Sequence, residues 1–224
     1  MLKFYFNTSP NPAKVALFLE ESGLSYEPIP VDTRKGEQFN SSFVAINPNA
    51  KVPAIVDGDV RVFDSNAILL YLAEKTGQFL PDNTPKARGD MLSWLMFVAT
   101  GIGPYSGQAV HFRHFAPKGL DYAHDRYLYE ARRHYSILDA QLRGREFLLG
   151  GTYTIVDMAA WGWTRVLTFV LGDDAWNSFP TLKRWFDAIS DRPAAIRANA
   201  LKDRFTFKAE FDEDARRHMF RHIS

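Results

Sequence analysis

The sequence predicts an α/β unit of order β-α-β-α-β-β-α followed by an all-helical unit. Three observations carry that expectation. An aromatic strand at 2–6 leads through a proline-containing loop into an amphipathic helix. A hairpin at 54–63 runs straight into another helix. Beyond a turn-rich connector at 80–85 the hydrophobic spacing changes to helical.

The elements follow in order. Asn7-Thr-Ser-Pro-Asn-Pro is loop chemistry, and the helix behind it places Val15, Phe18 and Leu19 on one face before Gly23 ends it. Residues 26–31 read as a second strand. A polar segment, 32–40, leads to a short helix around 42–46. Val52-Pro53 opens the apolar run 54–56, Asp57-Gly58-Asp59 is a hairpin turn signal, and 60–63 returns as the partner strand. Asp64 or Ser65 is the N-cap of the next helix, which carries Ile68, Leu69 and Leu72 at helical spacing. The expected crossover strands are the first three, with the fourth added by the hairpin. The boundaries are 1–79 for the α/β domain, 80–85 for a linker and 86–224 for the helical domain. In the latter, Leu128, Ala131, Tyr135, Leu138 and Leu142 trace the seam of one long helix. Leu182, Trp185, Phe186 and Ile189 mark another, stopped by Arg192-Pro193. Thr154-Ile-Val-Asp157 has the form of a capping box, so Asp157 is read as structural and not catalytic. The mixed-charge tail after Leu201 carries no legible signal.

Composition narrows the function. The chain has 224 residues, 46% hydrophobic content and a net charge of +1, which suits a globular protein and gives no strong field for nucleic acid or anionic membrane. There are no cysteines, so disulfide stapling and a cysteine nucleophile are excluded. The first residues lack the apolar core of a signal peptide, and Asp157 and Arg165 interrupt the apolar stretch 155–171. A cytoplasmic protein is expected. His111 and His114 lack a third ligand of suitable spacing, and no metal is expected.

The Val52-Pro53 hairpin with Asp64-Ser65 resembles the thioredoxin-like, glutathione-binding half of the glutathione transferases. Ser9-Pro-Asn-Pro-Ala-Lys-Val15, Lys35-Gly-Glu-Gln-Phe39, Gly103-Pro-Tyr-Ser-Gly-Gln-Ala-Val-His-Phe112 and the Tyr122 to Tyr127 segment resemble more narrowly the bacterial Nu-class, or Ure2p-like, group. The resemblance covers nearly the whole chain. It implies a glutathione transferase fold, a homodimer, and glutathione as co-substrate, with two per subunit in a two-thiol scheme. The implied activity is glutathione-dependent reduction of a small-molecule disulfide. It implies a cis Val52-Pro53 bond that leaves the Val52 backbone open to the cysteinyl residue of glutathione. Gln38, Lys51 and Val52 would contact the peptide, Asp64 and Ser65 the γ-glutamyl end, and Arg126 would reach the bound ligand.

The implied reactive centre is the loop after the first strand. Asn11 is expected as N-cap with Pro12 as the first helical residue, its side-chain oxygen capping and its NH₂ donating to a thiolate. Ser9 adds a hydroxyl nearby. Lowering a thiol pKa by two units needs roughly 2.7 kcal/mol, which one charge-assisted hydrogen bond of about 1.5–3 kcal/mol and a helix dipole of about 0.3–1 kcal/mol can supply. Pro12 replaces a glycine frequent in the group and removes a backbone donor there. Tyr5 reads as a core residue of the first strand. A cysteine-free chain reduces disulfides only by holding glutathione as the attacking thiolate. Gln108, His111 and Phe112, with His114 and Trp161 or Trp163, are expected to wall the co-substrate cavity. Two alternatives stand beside this reading: a transferase that conjugates glutathione to electrophiles, and a non-enzymatic binding module on the same fold.

Overall fold

The computed structural model describes residues 1–221. The chain forms two compact units, Met1–Lys75 together with the stretch from Pro193 onward, and Thr76–Arg192.

In the first unit the strands are β1 (Leu2–Phe6), β2 (Tyr26–Pro30), β3 (Ala54–Asp57) and β4 (Val60–Phe63). Among the described residues they form one sheet of order β2-β1-β3-β4. β1 and β2 are parallel, with Leu2 opposite Tyr26. β3 runs antiparallel to β1, with Phe4 opposite Ile55, and antiparallel to β4. The crossover rule therefore applies only to the β1–β2 connection, which corrects the sequence expectation for the third strand. The polar 32–53 stretch returns the chain in the opposite direction. Pro28 and Pro30 are tolerated because β2 is the sheet edge and needs donors on one side only.

The first connection contains α1 (Pro10–Ser22), ended by Gly23 at φ 70°, whose N–H donates to Leu19 O at 3.2 Å. The left-handed conformation explains the glycine. α2 (Ser41–Val44) follows, and α3 (Ser65–Thr76) succeeds the hairpin. Phe4, Val15, Leu17, Phe18, Ile55, Ile68, Leu69 and Leu72 are fully buried and make the core. Tyr5 packs with the Val31, Phe43 and Ala54 cluster, its ring 5.7 Å from that of Phe43. It is half-buried against that cluster, at the margin of the core where the alternating aromatic strand suggested a fully buried residue.

The chain after Pro193, expected in the helical domain, packs instead with the first unit. α10 (Pro193–Ala200) lies on α1, and Arg197 Nε donates to Glu20 Oε2 at 2.7 Å. The rings of Phe205 and Phe207 meet Phe6 edge-on at 5.5 and 5.9 Å. The Lys208 N–H donates to Asp32 Oδ2 at 2.6 Å, and Arg34 returns a bond to Lys208 O at 3.0 Å. α11 (Glu213–Met219) is capped by Asp212, which accepts from Ala215 N–H at 2.9 Å. These partners lie some 175 residues apart in sequence, beyond the reach of any local pattern.

The second unit contains α4 (Pro85–Phe97), a π-helical turn at Val98–Ile102, α5 (Gly103–His114), α6 (Asp121–Gln141), α7 (Ile155–Thr164), α8 (Leu167–Leu171) and α9 (Pro180–Ser190). The expected seam of α6 is present: Ala131, Tyr135, Leu138 and Leu142 are fully buried. Gly101 sits in the π-helical turn against His134, where an added Cβ would meet the imidazole Nε2 at 2.9 Å. Both groups are buried, so Gly101→Ala is expected to destabilise the protein by about 1–3 kcal/mol through overpacking, measured by chemical denaturation. A cost below about 0.5 kcal/mol would show that His134 yields freely.

Asp157 is completely buried at the first turn of α7. Its Oδ1 accepts from the Leu148 N–H at 2.9 Å and from Trp185 Nε1 at 3.0 Å. Its Oδ2 accepts from the Thr154 N–H at 3.0 Å and Thr154 Oγ1 at 3.2 Å. The carboxylate joins the 148–154 loop, α7 and α9 at one point, consistent with a structural and not a catalytic residue.

Candidate active site

The site is built upward from the loop after β1. The sequence reading puts Asn11 at the N-cap; the structure starts α1 two residues earlier, with Ser9 as N-cap and Pro10 and Pro12 in the first turn. The reason lies in Asn7. Its Oδ1 accepts from both the Ser9 N–H at 3.0 Å and the Ser9 hydroxyl at 2.6 Å, closing an Asx turn that delivers the chain into the helix. Asn11 consequently lies inside the first turn. It is the only residue of Pro10–Asn11–Pro12 with a backbone N–H, since proline has none. Asn7 was missed at the sequence level, although an Asn two residues before a helix start is a recognisable Asx-turn signal.

Two hydrogen-bonded chains tie this loop to the other predicted residues. Asn7 Nδ2 donates to Thr33 Oγ1 at 3.2 Å, and Gln38 Nε2 donates to Thr33 O at 3.3 Å, so Ser9, Asn7, Thr33 and Gln38 are linked in series. Gln38 is buried and also donates to His218 O at 3.3 Å, while its Oε1 is a buried acceptor without a partner. Gly36, at φ 81°, lets the tail approach: a Cβ there would lie 2.6 Å from the His218 ring. The second chain runs from α1 to α3. Lys14 Nζ, on a side chain left 1% exposed, donates to Ser65 Oγ at 3.2 Å. Burial pushes the Lys14 ammonium down to about 7, against the opposing pull of Asp64.

The Val52-Pro53 peptide bond is cis and immediately precedes β3. Asn47, buried, holds the approach to it: Nδ2 donates to Lys51 O at 2.6 Å and Oδ1 accepts from the Asn49 N–H at 3.0 Å. Lys51 itself is exposed. Of the two candidates for the cap of α3, Asp64 performs it: Oδ1 accepts from the Asn66 and Ala67 N–H groups at 2.9 and 3.2 Å. Asp64 adopts φ 71°, a left-handed conformation that aspartate tolerates better than most residues. Ser65, buried, opens the helix.

In the second unit the candidate residues separate. Gln108 and Arg126 are exposed on α5 and α6. His111 and Phe112 are half-buried neighbours, and the Phe112 ring stacks on Tyr127 at 5.3 Å. His114 stacks on Phe169 at 4.0 Å, with its Nε2 2.8 Å from Phe169 O. Trp161 is fully buried and donates to Ser190 Oγ at 3.0 Å, and Trp163 packs against Gly103 and Gly107. Both tryptophans are core residues, which corrects their assignment to a pocket wall; every residue of α7 is buried, Asp157 and Thr164 included, so aromatic residues at i and i+2 both meet protein. Among the described residues no group of three or more His, Cys, Asp or Glu side chains is placed to hold a metal. Among them, too, no helix is long and apolar enough to cross a membrane.

The first unit thus combines a βαβ unit, an antiparallel hairpin, a cis proline before β3 and a helix that opens directly after β4. The chain belongs to the glutathione S-transferase family: residues 1–74 match its N-terminal domain and residues 107–193 its C-terminal domain. Among its relatives, the disulfide-bond oxidoreductase YfcG of Escherichia coli (strain K12) is 43% identical over 205 residues, spanning 88% of this chain and 94% of YfcG. A glutathione transferase family member from Pseudomonas fluorescens pf-5, solved with two glutathione bound, superposes with a TM-score of 0.84 at 38% identity, covering 88% of this chain and 92% of that one. The glutathione transferase URE2P6 from Phanerochaete chrysosporium, in complex with oxidized glutathione, superposes at 0.83 with 33% identity, covering 91% and 96%.

Proposed function

We propose that the protein is a glutathione-dependent disulfide-bond reductase of the Nu or Ure2p-like type. The observation that carries the reading is a cis Val52-Pro53 bond ahead of β3 in a chain without a single cysteine. The attacking sulfur must then come from the ligand. Bound glutathione, as thiolate, attacks one sulfur of the substrate disulfide, forming a mixed disulfide and releasing one substrate thiolate. A second glutathione thiolate attacks the mixed disulfide at the glutathione sulfur, giving oxidised glutathione and the second substrate thiol. The relatives named above, one a disulfide-bond oxidoreductase, one solved with two glutathiones and one with the oxidised form, support this scheme.

Asn11 stabilises the thiolate through its NH₂ group. Ser9 acts at one remove, since its hydroxyl donates to Asn7 and shapes the loop. Val52 offers its backbone to the cysteinyl residue, Lys51 and Gln38 contact the peptide, and Asp64 and Ser65 receive the γ-glutamyl ammonium and carboxylate. Arg126 is assigned to an anionic group of a bound glutathione, and Gln108, His111 and Phe112 to the co-substrate. The need for reduced glutathione suits the cytoplasm. The purified protein is expected to reduce 2-hydroxyethyl disulfide with glutathione, in an assay coupled to glutathione reductase. Glutathione binding without such turnover, accompanied by conjugation of 1-chloro-2,4-dinitrobenzene, would favour the conjugating alternative. Failure to bind glutathione would favour a binding module. The active form is assigned as a homodimer: sedimentation equilibrium is expected to give twice the 25.6 kDa chain mass, and a monomer would contradict it.

A further inference from the structure

Lys14 is the most deeply buried cation in the first unit's described core, and local helix chemistry gives no reason for it. It sits mid-helix on the inward face of α1, flanked by Val15, Leu17 and Phe18, with a side chain only 1% exposed. Burying an ammonium among apolar groups is unfavourable unless it is matched by a counter-charge and hydrogen bonds. The hydrogen-bond partner observed is a neutral hydroxyl, Ser65 Oγ at 3.2 Å. The nearby anion acting on it is Asp64, whose Oδ1 is already engaged with the α3 backbone. α10, also packed on α1, brings Arg197, which is held by Glu20.

The chemistry of the pair is directional. An ammonium only donates, so Ser65 Oγ accepts from Lys14 and its own hydrogen must point elsewhere. While Lys14 is protonated, that leaves the Ser65 O–H free to act as a donor at the N-terminus of α3, over a buried ammonium. We infer that Lys14 is a positioning residue for the γ-glutamyl carboxylate: it orients the Ser65 hydroxyl as a donor and supplies buried positive charge beneath the carboxylate. The inference rests on the proposed glutathione site and adds to it a residue that does not touch the ligand. Because the Lys14 ammonium is held near 7 without ligand, its proton is partly lost just above neutrality, and an anion bound over it draws the proton back.

The test uses S-methylglutathione, which has no titrating thiol, and its analogue lacking the γ-glutamyl α-carboxylate, with binding followed by calorimetry. Lys14→Met should weaken S-methylglutathione by roughly tenfold or more, the scale of a lost charge-assisted hydrogen bond, and leave binding of the decarboxylated analogue unchanged from wild type. Wild-type affinity for S-methylglutathione should fall between pH 6.5 and 8.5, and that slope should vanish in Lys14→Met. In steady state the variant should raise KM for glutathione with little change in kcat, and Lys14→Arg should recover part of the affinity. Melting curves check folding. Equal losses for both peptides, or no loss for either, would overturn the inference while leaving the glutathione site standing. A wild-type protein that binds neither peptide would instead overturn the glutathione reading, and the role of Lys14 with it.

Discussion

Asp157→Ala is expected to lower the unfolding free energy by about 3–5 kcal/mol, the large end of single-substitution effects, reached when a buried hydrogen-bond network is broken. Four donors converge on its two oxygens, from Leu148, Thr154 twice, and Trp185. An alanine leaves all of them without an acceptor in a site with no solvent access, and each unsatisfied donor costs about 1–3 kcal/mol before relaxation. Burial raises the carboxyl pKa to about 6, with the four hydrogen bonds pulling the other way. A melting temperature lower by roughly 6–20 °C follows for a chain of this size. Asp157→Asn separates the two contributions. It keeps the volume and removes the charge, but offers one oxygen where two are used, so its amide NH₂ must face donors. It should recover only part of the loss. Glutathione affinity of the folded fraction should be unaltered in either variant; a variant as stable as wild type would contradict the structural role.

The pH dependence has a definite sign. The folded-state pKa of Asp157 is raised, so its titration contributes stability that is present below the unfolded value near 3.8 and is lost as pH rises through about 6. The difference between wild type and Asp157→Asn should therefore widen as pH falls from 7 toward 4. Denaturant melts at three pH values would show it, and a difference that narrows would contradict the burial argument.

Asn11→Ala carries the largest expected loss of activity. Two prolines strip the first turn of α1 of two N–H groups, and Asn7 engages the N–H and hydroxyl of Ser9. An α-helix ordinarily presents several unpaired N–H groups to an anion at this end. Among Pro10, Asn11 and Pro12 only Asn11 brings N–H groups, on its backbone and on its side-chain amide. Losing one hydrogen bond to a charged sulfur, worth about 1.5–3 kcal/mol, lowers kcat/KM by roughly 10- to 100-fold. The pH profile should move with it: the apparent pKa of the bound thiol rises by about one to two units, so the deficit shrinks at high pH. Ser9→Ala should cost less, since the serine acts through the loop. Activity of Asn11→Ala equal to wild type at pH 7 would assign thiolate stabilisation elsewhere.

Much of the local structure around the candidate site was legible in the sequence because its signals are local. Val52-Pro53 before an apolar run, Asp57-Gly58 as a turn, and Asp64-Ser65 ahead of a helical apolar spacing each span a few residues and have short-range causes. The Thr154–Asp157 capping box was legible for the same reason. The misplaced start of α1 shows where local reasoning failed. Proline at the first helical position is favourable at either Pro10 or Pro12, and the choice depended on an Asx turn closed by Asn7, which also reaches Thr33. The two tryptophans failed differently: an aromatic on an apolar helix reads the same whether it lines a cavity or fills a core.

By itself, then, the sequence determined the order of elements, the change from strand to helical periodicity near 80, the absence of a protein thiol and the proline-hairpin-helix segment. All of these follow from spacing and from the chemistry of single residues. Tertiary structure alone decided that β3 turns antiparallel, that Lys14 meets Ser65 across 51 positions, and that Gln38 meets His218 across 180. It also returned the chain after Pro193 to the first unit. A buried polar group must find its partner wherever the fold brings one, and the identity of that partner is set by packing between segments that carry no record of each other in their local sequence.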